Sequence, residues 1–106
     1  MAVIVLPDAQ ADLLSLQGYM LDTWGEAEWI KAEDEIFEKL EKVDSGRFSG
    51  TAVQELALVG IFDYQNVYAS HHKLVCRRIE QDTYVYLIAG HRQDFPTILT
   101  KRLMER

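Results

Sequence analysis

Ala2-Val3-Ile4-Val5-Leu6-Pro7-Asp8-Ala9-Gln10-Ala11-Asp12-Leu13 opens the chain and decides how the rest is read. Five apolar residues, three of them β-branched, form a run too short for a helix and suited to a buried strand. Pro7 ends that run. Its fixed φ and missing N–H fit the first position of a helix, so one dipeptide converts strand into helix. Asp8 and Asp12 then lie toward the positive end of that helix. Ala9, Leu13, Leu16, Met20 and Trp24 recur at spacings of three or four, which predicts an amphipathic helix over about Pro7–Thr23. Gly18 inside it marks a candidate close approach between helices.

Gly25 breaks the pattern, and a second periodic segment follows from about Glu26 to Val43. Trp29, Ala32, Ile36, Leu40 and Val43 form its stripe, widened by Ile30 and Phe37. The opposite face carries Glu35–Lys39 and Glu38–Lys42, both i,i+4 pairs in the favourable order. A connection this short predicts an antiparallel helical hairpin. Asp44 to Thr51 is polar and glycine-rich, hence a loop. Glu55–Tyr64 fits neither period cleanly, with apolar positions that include Phe62. Asn66–Ala69, His72–Ile79 and Thr83–Ala89 read as strands, with a hairpin turn at Glu80-Gln81-Asp82. Thr83–Ala89 is apolar or aromatic on both parities, which predicts a central strand buried on both faces. Asp94 caps a final helix over about Phe95–Glu105, with Ile98, Leu99, Leu103 and Met104 as its apolar contacts. The predicted fold is α+β: an N-terminal strand, an antiparallel two-helix hairpin on one face of a small, mainly antiparallel sheet, and a short C-terminal helix.

With 106 residues the chain has room for one domain, residues 1–106. A single cysteine, Cys76, excludes an internal disulfide, and its apolar neighbours make it a buried structural residue rather than a nucleophile. The early apolar run is too short for a signal-peptide core or a membrane span, so a cytoplasmic protein is the expectation. The formal charge of −6 disfavours general binding to nucleic acid. That charge is uneven: residues 1–45 hold 11 acidic and 3 basic residues, and residues 46–106 hold 6 and 8. All three histidines lie in the second part. His71 and His72 are adjacent, so within a strand they would face opposite ways, and no metal or other cofactor is expected. Lys73 and Arg77 share one strand parity, while His72 and Arg78 share the other. These residues, with His91 and Arg92, suit either phosphate contact in acid–base cleavage of RNA or a solvated basic sheet edge.

Three stretches carry a family resemblance. Leu6-Pro7-Asp8-Ala9-Gln10-Ala11-Asp12-Leu13 is similar to the strand-to-helix entry of ParE proteins. Thr23-Trp24-Gly25 is similar to their aromatic–glycine break between the first two helices. Ser70-His71-His72-Lys73-Leu74-Val75-Cys76, followed by Tyr84-Val85-Tyr86-Leu87-Ile88-Ala89-Gly90-His91-Arg92-Gln93-Asp94, resembles their paired strands and terminal motif. Together these resemble the RelE/ParE superfamily of type II toxin–antitoxin toxins, closest to ParE. Residues 44–66 lie outside the resemblance.

The resemblance implies a toxin that arrests growth by binding DNA gyrase and is neutralised by a cognate ParD-like antitoxin in a hetero-oligomer. It implies binding rather than catalysis. The alternative within the superfamily is a ribosome-dependent mRNA endonuclease using Lys73, Arg77, His91 and Arg92, with His72 as another acid or base. For gyrase the expected contacts are Lys73, Arg77, Arg78, His91, Arg92, Lys101, Arg102 and Arg106. For the antitoxin, Met20, Trp24 and Trp29 are the expected groove lining. No membrane and no sequence-specific nucleic acid is implied. The C-terminal helix departs from the nucleases, and the acidity favours a protein target over RNA.

Overall fold

The run before Pro7 forms β1 (Val3–Val5), and Pro7 sits at the first turn of α1 (Pro7–Thr23). The computed structural model of the chain describes residues 2–47, 50–61, 63–91 and 93–104, except the side chains of Glu55, Leu103 and Met104. Phe62, one of the apolar positions noted above, lies outside the described residues. α1 ends where the N–H groups of Trp24 and Gly25 both reach the Met20 carbonyl, at 2.7 and 3.0 Å. Gly25 has φ +92°, a conformation that a side chain would strain, and α2 (Glu26–Asp44) starts directly after it. Both helices have the bounds that their spacing and punctuation predict, to within one residue. Gly18 does not mark a close approach among the described residues: a side-chain carbon there would meet none of their atoms within 4 Å. Gly18→Ala is therefore expected to raise stability by about 0.5–1 kcal/mol through helix propensity alone. A lower midpoint in urea would contradict this.

β4 (His72–Ile79) and β5 (Asp82–Gly90) form the predicted hairpin, with Glu80 at φ 58° in its two-residue turn. β3 (Tyr64–Tyr68) starts and ends slightly earlier than the sequence suggests. The ambiguous stretch resolves into β2 (Thr51–Ala52), carved from the end of the expected loop, and one helical turn, α3 (Gln54–Ala57). The order across the five-stranded sheet is β1-β5-β4-β3-β2. β1 runs parallel to β5, and the other neighbours are antiparallel. Parallel pairing of β1 with β5 requires a long crossover, and the connection here runs through the helical hairpin and then through β2 to β4.

Side chains of β4 and β5 alternate between two cores. Leu74, Cys76, Val85 and Ile88 pack with Ile36, Leu40 and Leu16 beneath the hairpin. Val75, Leu87 and Ala89 pack with Leu56, Phe95 and Leu99 on the other face, beneath α3 and α4 (Phe95–Met104). The sheet is thus covered on both faces, and β5 is apolar on both parities for that reason. The ladder has one irregularity: Val75 pairs with Leu87 and Cys76 with Val85, so Tyr86 is an extra residue. This bulge turns Tyr86 to the α4 side, where its ring meets Tyr64 at 5.1 Å. Asp94 caps α4 through Thr97, whose hydroxyl donates to Oδ2 at 2.8 Å. No described helix is long and apolar enough to cross a membrane.

Asp12 has a different role from a helix-terminus charge. Past the end of β1, the outer edge of β5 has no strand beside it. There the Ile88 N–H donates to Asp12 Oδ2 at 3.0 Å, and Arg102 Nη1 donates to the Tyr86 carbonyl at 2.8 Å. Arg102 and Asp12 close the arrangement with two further bonds of 2.8 Å each. A carboxylate from α1 and a guanidinium from α4 together satisfy backbone groups that a longer β1 would have paired. The forked pair also ties the first helix to the last.

Candidate functional site

The second half of α1 does not close fully on the sheet. It leaves a groove of about 450 Å3 between Leu16, Tyr19, Met20 and Trp24 of the helix and the far ends of β4 and β5. Ser70, His71 and His72 form its floor on one side, and Gly90, His91 and Gln93 on the other. Of the three expected antitoxin contacts, Met20 and Trp24 line this groove and Trp29 does not. Trp24 is 52% exposed. Met20 (2%) and Trp29 (4%) are core, packed with Ala32 under the hairpin.

All three histidines meet here. The sequence expectation that His71 and His72 face opposite ways fails because β4 begins at His72, so strand alternation does not extend to His71. Their ring centroids are 6.2 Å apart. His71 packs against Trp24 at 5.1 Å, and its Nε2 lies 3.2 Å from Glu28 Oε2. His91 Nε2 lies 2.9 Å from the Ala69 carbonyl, so that nitrogen carries a proton, and its ring stacks on Tyr68 at 6.4 Å. His72 is buried, edge-on to Trp29 at 6.4 Å, and its Nδ1 has no hydrogen-bond partner among the described residues. Burial lowers its pKa from 6.5 to about 4, with His71 and His91 acting in the same direction and Glu35 against it. The ring is therefore neutral at pH 7. Glu35 is not available to Lys39 in the way the spacing suggests: its carboxylate accepts from the Ser70 N–H and hydroxyl at 3.1–3.2 Å. The Glu38–Lys42 pair does form, at 3.1 Å. No group of three His, Cys, Asp or Glu among the described residues is placed to hold a metal ion.

The basic residues lie elsewhere. Lys73 and Arg77 project from the α4 face of β4. Lys73 Nζ sits 3.6 Å over the Phe95 ring and 5.4 Å from the Tyr68 ring. Arg77 lies over Tyr64 at 5.6 Å, with Asp63 Oδ2 3.6 Å from its Nη2. Tyr68 thus connects Lys73 to His91, while Arg77 is four residues along the strand, about 13 Å away. Arg78 points toward the end of α2, near Gly46. Lys101 is exposed on α4, and Arg102 is engaged by Asp12. Arg92 and Arg106 lie outside the described residues. The described members of the expected gyrase set are therefore spread over several surfaces. Of the nuclease residues, Lys73 and Arg77 lie on the opposite face of the sheet from His72. Cys76 is buried, and burial pushes its thiol up to about 11, which leaves it inert as a nucleophile.

Sequence reasoning found Met20, Trp24 and the histidines but not Tyr19, Glu28, Glu35 or Tyr68. Tyr19 falls just off the buried stripe of α1, beside Met20. A large aromatic next to such a stripe was the available signal.

No protein-family model and no curated protein matches the chain. Among solved structures, it is similar to a chain of the "Chromosomal ParDE TA system from P. aeruginosa", with a TM-score of 0.66. The alignment covers 85% of this chain and 95% of that one at 14% sequence identity, a likeness of fold.

Proposed function

We propose that this chain is the toxin of a type II toxin–antitoxin pair, of the ParE kind. In this reading it acts in the cytoplasm as one toxin domain that binds DNA gyrase, and a ParD-like antitoxin neutralises it. The fold likeness to a ParDE chain carries the reading. The groove supports it by offering a partner a preformed, mostly apolar seat beside the half-exposed Trp24. Action by binding rather than RNA cleavage is supported by two features. The net charge of −6 opposes approach to a dense polyanion. Arg77 also lies about 13 Å along β4 from Lys73, the cation that shares Tyr68 with His91, and His72 is on the other face of the sheet, whereas cleavage needs acid, base and cations on one phosphate.

Purified protein in molar excess over gyrase is expected to abolish supercoiling of relaxed plasmid. Prior mixing with the product of an adjacent antitoxin-like reading frame should restore it. Unchanged supercoiling at large excess, together with cleavage of ribosome-bound mRNA, would replace this reading with the nuclease one.

A further inference from the structure

The groove has a charge setting that constrains what can occupy it. Its described lining contains no lysine or arginine. Its floor is attached to two carboxylates of α2, Glu28 on His71 and Glu35 on Ser70. It is also flanked by a hairpin which, within residues 1–45, accounts for a balance of −8. Its walls are apolar and aromatic, with Trp24 52% and Tyr19 46% exposed.

We infer that the groove takes a partner segment carrying an apolar or aromatic anchor flanked by lysine or arginine, so that a net positive charge meets the acidic hairpin. This rests on the reading of the groove as a partner's seat and adds the partner's chemistry. A volume of about 450 Å3 accepts one or two large side chains between Trp24, Tyr19 and the imidazoles. Trp24 and Tyr19 offer the rigid aromatic surface on which binding energy concentrates. Glu28 and Glu35, held on His71 and Ser70, and the acidic hairpin around them favour cations on the segment and speed its approach. A second copy of this chain docked by its own hairpin does not fit these terms, because two acidic hairpins would repel one another. An acidic segment is disfavoured by the same repulsion from the hairpin.

The test uses the full chain as bait for a phage-displayed library of random 16-residue peptides. Winners are expected to centre on one or more large apolar residues and to carry a net positive charge. A resynthesised winner should bind at least tenfold more weakly to Trp24→Ala, whose fold should persist because the residue is half exposed. It should also weaken on Glu28→Lys and several-fold between 50 and 300 mM salt. Neutral or acidic winners, equal binding to Trp24→Ala, or no enrichment over an unrelated bait would overturn the inference. A protein that inhibits gyrase but selects acidic peptides loses only this inference. One that selects basic peptides without inhibiting gyrase loses only the toxin reading.

Discussion

Arg102→Ala is expected to destabilise the fold by about 2–3 kcal/mol and to lower its melting temperature by roughly 10 °C or more. The variant removes a guanidinium that makes three hydrogen bonds of 2.8 Å, two to Asp12 and one to the Tyr86 carbonyl. It leaves Asp12, whose side chain is 16% exposed, with the Ile88 N–H as its remaining hydrogen-bond partner among the described residues. Asp8, whose Oδ2 is 3.8 Å from Arg102 Nε, loses its counter-charge as well. The guanidinium is 17% exposed, so solvent screens part of the effect and the figure falls below that for a fully buried pair. The pair raises the Arg102 pKa chiefly through its hydrogen bonds to Asp12, so the charge state does not vary in the accessible pH range.

Asp12→Ala should cost a similar amount because it orphans the Ile88 N–H. The double variant Asp12→Leu with Arg102→Met should cost clearly less than the two singles added together, since no charge is then stranded. Urea unfolding of the four proteins measures this. A change below about 0.5 kcal/mol in Arg102→Ala would place the residue among ordinary surface positions and return it to the pool of partner contacts. Loss of function in Arg102 variants would then be attributable to contact rather than to release of α4.

The second large effect is a pH dependence carried by His72. Its pKa is lowered on folding from 6.5 to about 4, so between these values the unfolded chain binds the proton and the folded chain does not. Stability from this group is therefore complete above about pH 6.5 and is lost as the pH falls toward 4. The full contribution is on the order of 3 kcal/mol, and about 2 kcal/mol of it should be gone at pH 5. Unfolding in urea at pH 7, 6 and 5 measures the slope. Other groups titrate in the same range, so the diagnostic quantity is the difference from His72→Phe, which keeps a ring against Trp29 but has no proton to bind. His72→Leu serves the same purpose if the phenyl ring does not fit. Equal slopes in wild type and both variants would show that the imidazole is not held neutral by the fold. The same measurement bears on the groove, because a protonated His72 would place a buried charge beside His71 and His91.

The two long helices were legible in the residues. Pro7 and Gly25 act through their own backbone chemistry, and the 3–4 spacing of Trp29, Ala32, Ile36 and Leu40 is a local statement about one face. β4 was equally plain, and the two-sided apolarity of Thr83–Ala89 correctly indicated a strand covered on both faces. The stretch around Thr51–Ala57 was not legible, because a two-residue strand and a single helical turn are too short to show a period. Gly18 was misleading: glycine in a helix suggests a close neighbour, but only the neighbour's position decides that.

The site was legible in kind and not in arrangement. Trp24 and Met20 belonged to an apolar stripe that could equally have been core, and Trp29, on the next helix, is core. Adjacent histidines suggested opposite faces, and a strand beginning one residue later than needed brings their rings together. The elements and the strand-to-helix order are set by the sequence by itself, because proline, glycine and apolar spacing act within a few residues. The pairing of Asp12 with Arg102 across 90 positions, the bulge at Tyr86 and the meeting of three histidines in the groove are decided by tertiary structure alone. They depend on which distant backbone groups are left without partners once the layers are packed, and no local spacing records that.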